Sequence, residues 1–271
     1  MLKQRVLSAA VLIPFAIGFL YLGGWWFAAL VALVSLLAGY EAFAMLRRPD
    51  CGGHEPFVWW GEAVLLLLVI SAMFDGDGRL YFPLVTGILL VTLSYALFRY
   101  PRTHRAATDW AITVAVALYL GTFMRYGVLL RNRSHGLEWV AVGLVLTWII
   151  DSGAYFVGMA LGEKRHPLAP QLSPKKSKEG VIGGTVSGIL SALLLVPWLL
   201  PHVSRQQALL LGVLLSIIAP VGDLVESMFK RQCNLKDSGR LIPGHGGAFD
   251  RIDSLLFVVP TVYWLAVWWG G

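Results

Sequence analysis

The run Trp139-Val-Ala-Val-Gly-Leu-Val-Leu-Thr-Trp-Ile-Ile-Asp151-Ser-Gly-Ala-Tyr-Phe-Val-Gly-Met-Ala-Leu161 has one charged residue in 23. At 1.5 Å of rise per residue, a helix of that length crosses the ~30 Å hydrocarbon core of a bilayer. Comparable runs lie near 6–22, 24–38, 57–74, 80–98, 109–130, 180–200, 206–229 and 253–269, which predicts about nine spans. Gly23-Gly24 reads as a tight turn between the first two; the alternative is one long tilted helix kinked at Pro14. The start, Met-Leu-Lys-Gln-Arg before an apolar run, mimics a secretory signal. The apolar character continues through Trp25-Trp26-Phe27, so a retained first span is expected.

Composition agrees. The 271 residues are 57% hydrophobic and 14% charged, with mean hydropathy +0.68, whereas a soluble domain carries about 25% charged residues. The expected fold is therefore all-α, a polytopic helical bundle forming a single membrane domain over 1–271. Residues 1–138 are read as scaffold helices and 139–271 as catalytic helices with cytoplasmic loops. A net charge of +6 would suggest nucleic acid in a soluble protein. Here it reads as a topology signal, and no nucleic-acid partner is expected. With nine spans, 17 of the 22 lysines and arginines fall on the side of the N-terminus, which predicts a cytoplasmic N-terminus. Cys51 and Cys233 lack CxxC or Cys/His spacing, so two free thiols and no structural zinc are expected.

Between Ser227 and Asp253 lies the one dense polar run, with acidic residues at the inner ends of the flanking apolar segments. Charge near a membrane helix centre costs roughly 2.5–3.5 kcal/mol, so it usually serves a site. Asp223, Glu226 and Ser227 share one helical face, and Asp250 and Asp253 are also three apart. Four crowded carboxylates repel unless they take up protons or a cation holds them. A hard divalent ion that binds oxygen and bridges to phosphate fits, namely Mg2+. The plainer alternative is that Asp250 caps a helix and Asp223 pairs with Arg251. Gly246-Gly247 permits close backbone approach to an anion, and His245 is a candidate phosphate donor.

Ser227, Lys230-Arg231, Lys236-Asp237, Gly239, Pro243, His245-Gly246-Gly247, Asp250-Arg251 and Asp253 together resemble the signature of the phosphatidate cytidylyltransferases (CDP-diacylglycerol synthases). Ala248 departs from the pattern, where a larger apolar residue is usual. Ser173-Pro174-Lys175-Lys176-Ser177, followed by Glu179-Gly180 and Gly183-Gly184, resembles the family's second motif, with Ser177 in place of a threonine. Physically, a basic loop feeding a helix N-terminus suits a triphosphate, although loop lysines also set topology. Asp151-x-x-Ala154-Tyr155-x-x-Gly158 matches a third run. Asp151 lines a nucleotide pocket or bonds Tyr155, and the sequence leaves both open. Gly39-Tyr40-Glu41 resembles a short N-terminal element. Gly158-x-x-x-Gly162 and Gly184-x-x-x-Gly188 read as helix-packing stripes.

The resemblance implies transfer of CMP from CTP to phosphatidic acid, giving CDP-diacylglycerol and pyrophosphate, by a multi-pass protein of the bacterial inner (plasma) membrane whose site faces the cytoplasm. Asp223, Asp250, Lys236 and Arg251 are the catalytic candidates. Asp223, Asp250, Asp253 and Glu226 are the candidate ligands of Mg2+, with a second cation possible. Ser173, Lys175, Lys176, Ser177, Lys230, Arg231, His245, Gly246, Gly247, Asp151 and Tyr155 are the candidate substrate-binding residues. A homodimer is implied by resemblance alone. Rival readings are a CTP-dependent polyprenol or phytol kinase and a cation-coupled transporter.

Overall fold

The computed structural model describes residues 2–76, 78–162, 166–241 and 246–270. Among them it forms nine α-helices: α1 (Leu2–Leu22), α2 (Gly24–Leu46), α3 (Val58–Ser71), α4 (Tyr81–Arg99), α5 (Ala106–Arg131), α6 (Gly136–Leu161), α7 (Lys178–Leu199), α8 (Arg205–Gln232) and α9 (Phe249–Trp268). Seven of them, α2 and α4 to α9, are long and apolar enough to cross a membrane; Ala10–Leu22 and Val58–Ser71 are shorter apolar segments. The chain is an all-α polytopic membrane protein, and each expected span falls on one of its helices.

The cut at Gly23 is real. Gly23 (φ +65°) and Gly24 (φ +49°) adopt left-handed backbone, which glycine tolerates and other residues rarely do. The Arg131 guanidinium finishes the break, donating from Nε to Leu20 O (2.8 Å) and from Nη2 to Tyr21 O (3.1 Å). It thereby satisfies the carbonyls left open at the end of α1. A Cβ on Gly23 would meet this guanidinium at 2.7 Å. The single kinked helix is excluded.

The described chain divides into two compact units, Met1–Asn132 with Gln232–Arg251, and Arg133–Arg231 with Ile252–Gly271. In the first unit α3 packs against both α2 and α5. The core there is built from Phe43, Leu65, Leu68, Leu120 and Leu130, all fully buried. Arg125 lies within α5 and is buried beside Asp75, with Nε donating to Ser71 Oγ at 3.1 Å. A buried cation survives there because a partner carboxylate and further acceptors surround it.

In the second unit α6 lies along α7. Gly180, Gly184 and Gly188 form the seam. A Cβ on Gly180 or Gly184 would come within 2.9 Å of the α6 carbonyls of Ala154 or Ile150. The close packing expected at Gly184 and Gly188 is present, whereas a Cβ on Gly162 of the other expected stripe would meet nothing within 4 Å. The N-terminus of α8 carries a capping box, with Ser204 N bonded to Gln207 Oε1 (2.8 Å) and Gln207 N to Ser204 Oγ (3.2 Å).

Two features depart from expectation. The basic stretch before α7, read as a loop, contains a small antiparallel hairpin of β1 (Pro167–Ala169) and β2 (Ser173–Ser177). Lys164 and Arg165, counted in the charge balance, lie outside the described residues. The two thiols expected to be free are joined: Cys51 and Cys233 form a disulfide across 182 positions, with Cα atoms 4.5 Å apart. Local spacing motifs report only sequence neighbours, so a pairing made by the fold leaves no such trace.

Candidate active site

The second unit holds an acidic cluster. Asp223 and Glu226, three apart on α8, meet Asp253 of α9, with one carboxylate oxygen from each lying within 4.8 Å of the others. Helical spacing puts the first two on one face. Gly222 gives the third its access, since a Cβ there would stand 3.1 Å from Ser254 Cα. Glu226 is fully buried.

Two lysines balance the cluster. Lys176, at the hairpin's end, reaches Asp223 Oδ2 at 2.7 Å and Pro220 O at 3.3 Å. Lys230, one turn beyond Glu226, pairs with it. Asp223 thus pairs with Lys176, where the plainer sequence reading had Arg251. Ser227 Oγ donates to Asp223 Oδ1 at 3.3 Å. Asp151 of α6 is accessible and lies in the electrostatic field of both Asp223 and Lys176. Four carboxyl groups and two ammonium groups therefore share the site. Its donors are all hard oxygens, a set that fits a hydrated divalent cation such as Mg2+.

The rest of the second unit's expected residues surround this cluster in sequence but take various roles. Ser177 is the N-cap of α7, its buried hydroxyl accepting from Gly180 N at 3.1 Å. Ser173 opens β2 and is half-buried, whereas Lys175 is exposed. Arg231 Nε donates to Leu172 O at 3.0 Å, tying the end of α8 to the hairpin turn. Tyr155 is exposed and stacks edge-on with Phe156. No hydrogen bond joins it to Asp151 among the described residues.

Asp250 belongs to the first unit, with the signature loop. Its Oδ2 accepts from Ser238 N (3.0 Å) and Gly247 N (2.8 Å), and Ser238 Oγ stands 3.0 Å away. Gly246 has φ +87°, and a Cβ on it would lie 2.9 Å from Asp250 Oδ2. The paired glycines therefore let the loop backbone close on a carboxylate. Lys236 and Arg251 are exposed. His245 lies outside the described residues, as do Pro243 and Gly244.

One residue gains a role the sequence only hinted at. Glu41 of α2 is 3% exposed, and its Oε2 accepts from Phe249 N at 3.0 Å, in the opening turn of α9. Ser238 Oγ stands 3.2 Å from the same oxygen, so its single proton serves Glu41 or Asp250 in turn. A Cβ on Gly239 or Gly247 would collide with the Glu41 carboxylate. A carboxylate at a helix N-terminus satisfies open amides and meets the positive end of the dipole. The signal was available: a lone acid in an apolar span is seldom idle.

Known proteins are similar to this chain over nearly its whole length. A profile of the "Cytidylyltransferase family" matches residues 3–269. The chain is 36% identical to a phosphatidate cytidylyltransferase of Synechocystis over 97% of its own length and 96% of the relative's. It is 35% identical to that of Bacillus subtilis, covering 97% of each chain, and 36% identical to that of Pseudomonas aeruginosa, covering 99% of each. With the match running from the first helix through the acidic cluster to the last, the chain belongs to the cytidylyltransferase family.

Proposed function

We propose that this protein is a CTP:phosphatidate cytidylyltransferase, acting in phospholipid synthesis. The observation that carries the reading is the cluster of Asp223, Glu226 and Asp253, flanked by Lys176 and Lys230 at the ends of membrane helices. An oxygen of the phosphatidate phosphate attacks the α-phosphorus of CTP. A new P–O bond forms as the bond from Pα to the oxygen bridging the β-phosphate breaks. Pyrophosphate leaves with that electron pair, and CDP-diacylglycerol remains. The attacking phosphate is already anionic near neutral pH, so the chain needs no strong general base. Its work is to position the two anions and offset their repulsion.

Asp223, Glu226 and Asp253 are the residues that hold Mg2+ in this proposal, with Asp151 available to a second cation. A bound Mg2+ supplies Lewis-acid stabilisation of the charge on the transferring phosphoryl group. Lys176 and Lys230 exchange their carboxylate partners for phosphate oxygens as the substrates enter. Lys175 and Arg231 extend the positive field toward the triphosphate and the lipid head group, and Lys236 and Arg251 are the further basic candidates carried by the signature run. Asp250 organises the signature loop through Ser238 and Gly247, keeping Gly246-Gly247 in the shape that admits an anion. Tyr155 and Ser173 are proposed to border the nucleotide. The N-terminus and the site face the cytoplasm, where CTP is found, in the bacterial inner membrane. A homodimer is the proposed assembly.

The test incubates purified protein with radiolabelled CTP, phosphatidate and Mg2+, comparing wild type with Asp223→Asn and Asp250→Asn. CDP-lipid and pyrophosphate are expected from wild type and almost none from either variant. Formation of CDP in place of pyrophosphate would instead mark γ-phosphate transfer.

A further inference from the structure

A polar cavity of about 590 Å³ lies wholly within the first unit and takes no part in the proposed chemistry. Its walls come from the C-cap of α2, the first turn of α3, the end of α4 and the loop leading into α3. Arg47 and Arg99 supply its positive charge, with His54 beside them and Glu55 as its one acid. The Arg99 guanidinium stands over the Phe57 ring, 5.7 Å from the centroid. Its Nε is shielded from solvent yet has no acceptor among the described residues. A shielded donor of that kind is uncommon in a folded protein and points to an acceptor that the site is built to receive.

The walls are pinned before any ligand arrives. Glu55 N donates to Asp109 Oδ1 (3.1 Å) and Phe57 N to Thr113 Oγ1 (2.8 Å). Arg105 Nη2 holds Gly52 O at 3.1 Å. The Tyr95 ring packs against Phe57 (5.1 Å) and Trp60 (5.3 Å). Such fixing lowers the ordering cost of binding.

The position identifies the ligand's source. Where α2 and α4 end and α3 begins, apolar helix gives way to polar loop, the depth at which lipid head groups lie. Trp59, 87% exposed, stands at the mouth, and the ring type favours that boundary. On the flank of α4 next to Tyr95 and Arg99, Val91 and Phe98 expose apolar side chains against which acyl chains can run. A guanidinium binds phosphate oxygens through two parallel N–H bonds.

We infer that this cavity is a binding site for the phosphate of an anionic membrane phospholipid, separate from the cytidylyl-transfer site. The inference does not rest on the proposed reaction. Phosphatidylglycerol is a suitable probe because its phosphodiester is not a substrate of that reaction. Native mass spectrometry of the full-length protein in neutral detergent would titrate phosphatidylglycerol against wild type, Arg99→Lys and the double variant Arg47→Gln/Arg99→Gln. One tightly held lipid per chain is expected for wild type. The double variant should bind about tenfold or more weakly, the loss that one charge-assisted contact accounts for. CMP transfer should persist in both variants. Equal retention by wild type and the double variant overturns the site, and displacement of the lipid by millimolar inorganic phosphate overturns its assignment to a lipid. Photoreactive phosphatidylglycerol should label wild type within residues 53–60 or 95–99. Labelling confined to other segments overturns the inference without recourse to any variant.

Discussion

Two groups of acids in this protein are satisfied in opposite ways. In the first unit, Glu41 and Asp250 receive backbone N–H groups from Phe249, Ser238 and Gly247, donors that cannot leave without unfolding the loop. In the second, Asp223 and Glu226 are met by Lys176 and Lys230, ammonium groups on flexible stems. Fixed dipoles suit a structural clamp, whereas mobile counter-charges suit a site that must trade partners. Carboxylates of identical chemistry can therefore be sorted by what faces them.

Substitutions should break the symmetry of that comparison in a defined order. Asp223→Asn is expected to have the largest effect, lowering CMP transfer by roughly a hundredfold or more, the scale of several kcal/mol of charge stabilisation. Its thermal unfolding midpoint should hold. A fall in stability matching the fall in rate would make Asp223 a clamp like Glu41. Chelation of divalent cations with EDTA should abolish turnover of wild type, and added Mg2+ should restore it. Lys176→Met should raise KM for CTP by roughly tenfold, because one charge-assisted contact to phosphate is lost. Steady-state kinetics at varied CTP would read it directly.

The clamp should respond the other way. Glu41→Ala strands the Phe249 amide in a buried setting, at a cost of about 1–3 kcal/mol. Stability and activity should then decline together, as a melting curve and an assay on one preparation would reveal. The smallest change is expected from Ser177→Ala, which removes the N-cap of α7 and costs about 1 kcal/mol. If that variant instead loses affinity for CTP with its melting point unchanged, Ser177 touches substrate.

Much of this was legible in the sequence. Spans are easy to read because only about 20 apolar residues per crossing satisfy the bilayer, and Gly23-Gly24 was the one natural place to divide the first two. The pairing of Asp223 with Glu226 followed from three-residue spacing on a helix. What escaped reading was long-range. Glu41 meets a residue 208 positions later, and Cys51 meets one 182 positions later; no periodicity encodes either. The β1–β2 hairpin escaped because its strands are three and five residues long, too short for an alternation to register. Asp250 was visible as important, but its two readings, metal ligand and helix cap, used the same residues, so spacing did not separate them.

Because the first unit is assembled from Met1–Asn132 and Gln232–Arg251, it cannot be finished in the order in which it is synthesised. The ribosome delivers Glu41 early and then must make most of the second unit before Phe249 exists to donate its N–H to that carboxylate. During that interval an unsatisfied acid waits near the end of an inserted helix. A truncated chain ending before residue 249 should accordingly be a poor membrane protein and a ready target for quality-control proteases, even with every preceding span in place.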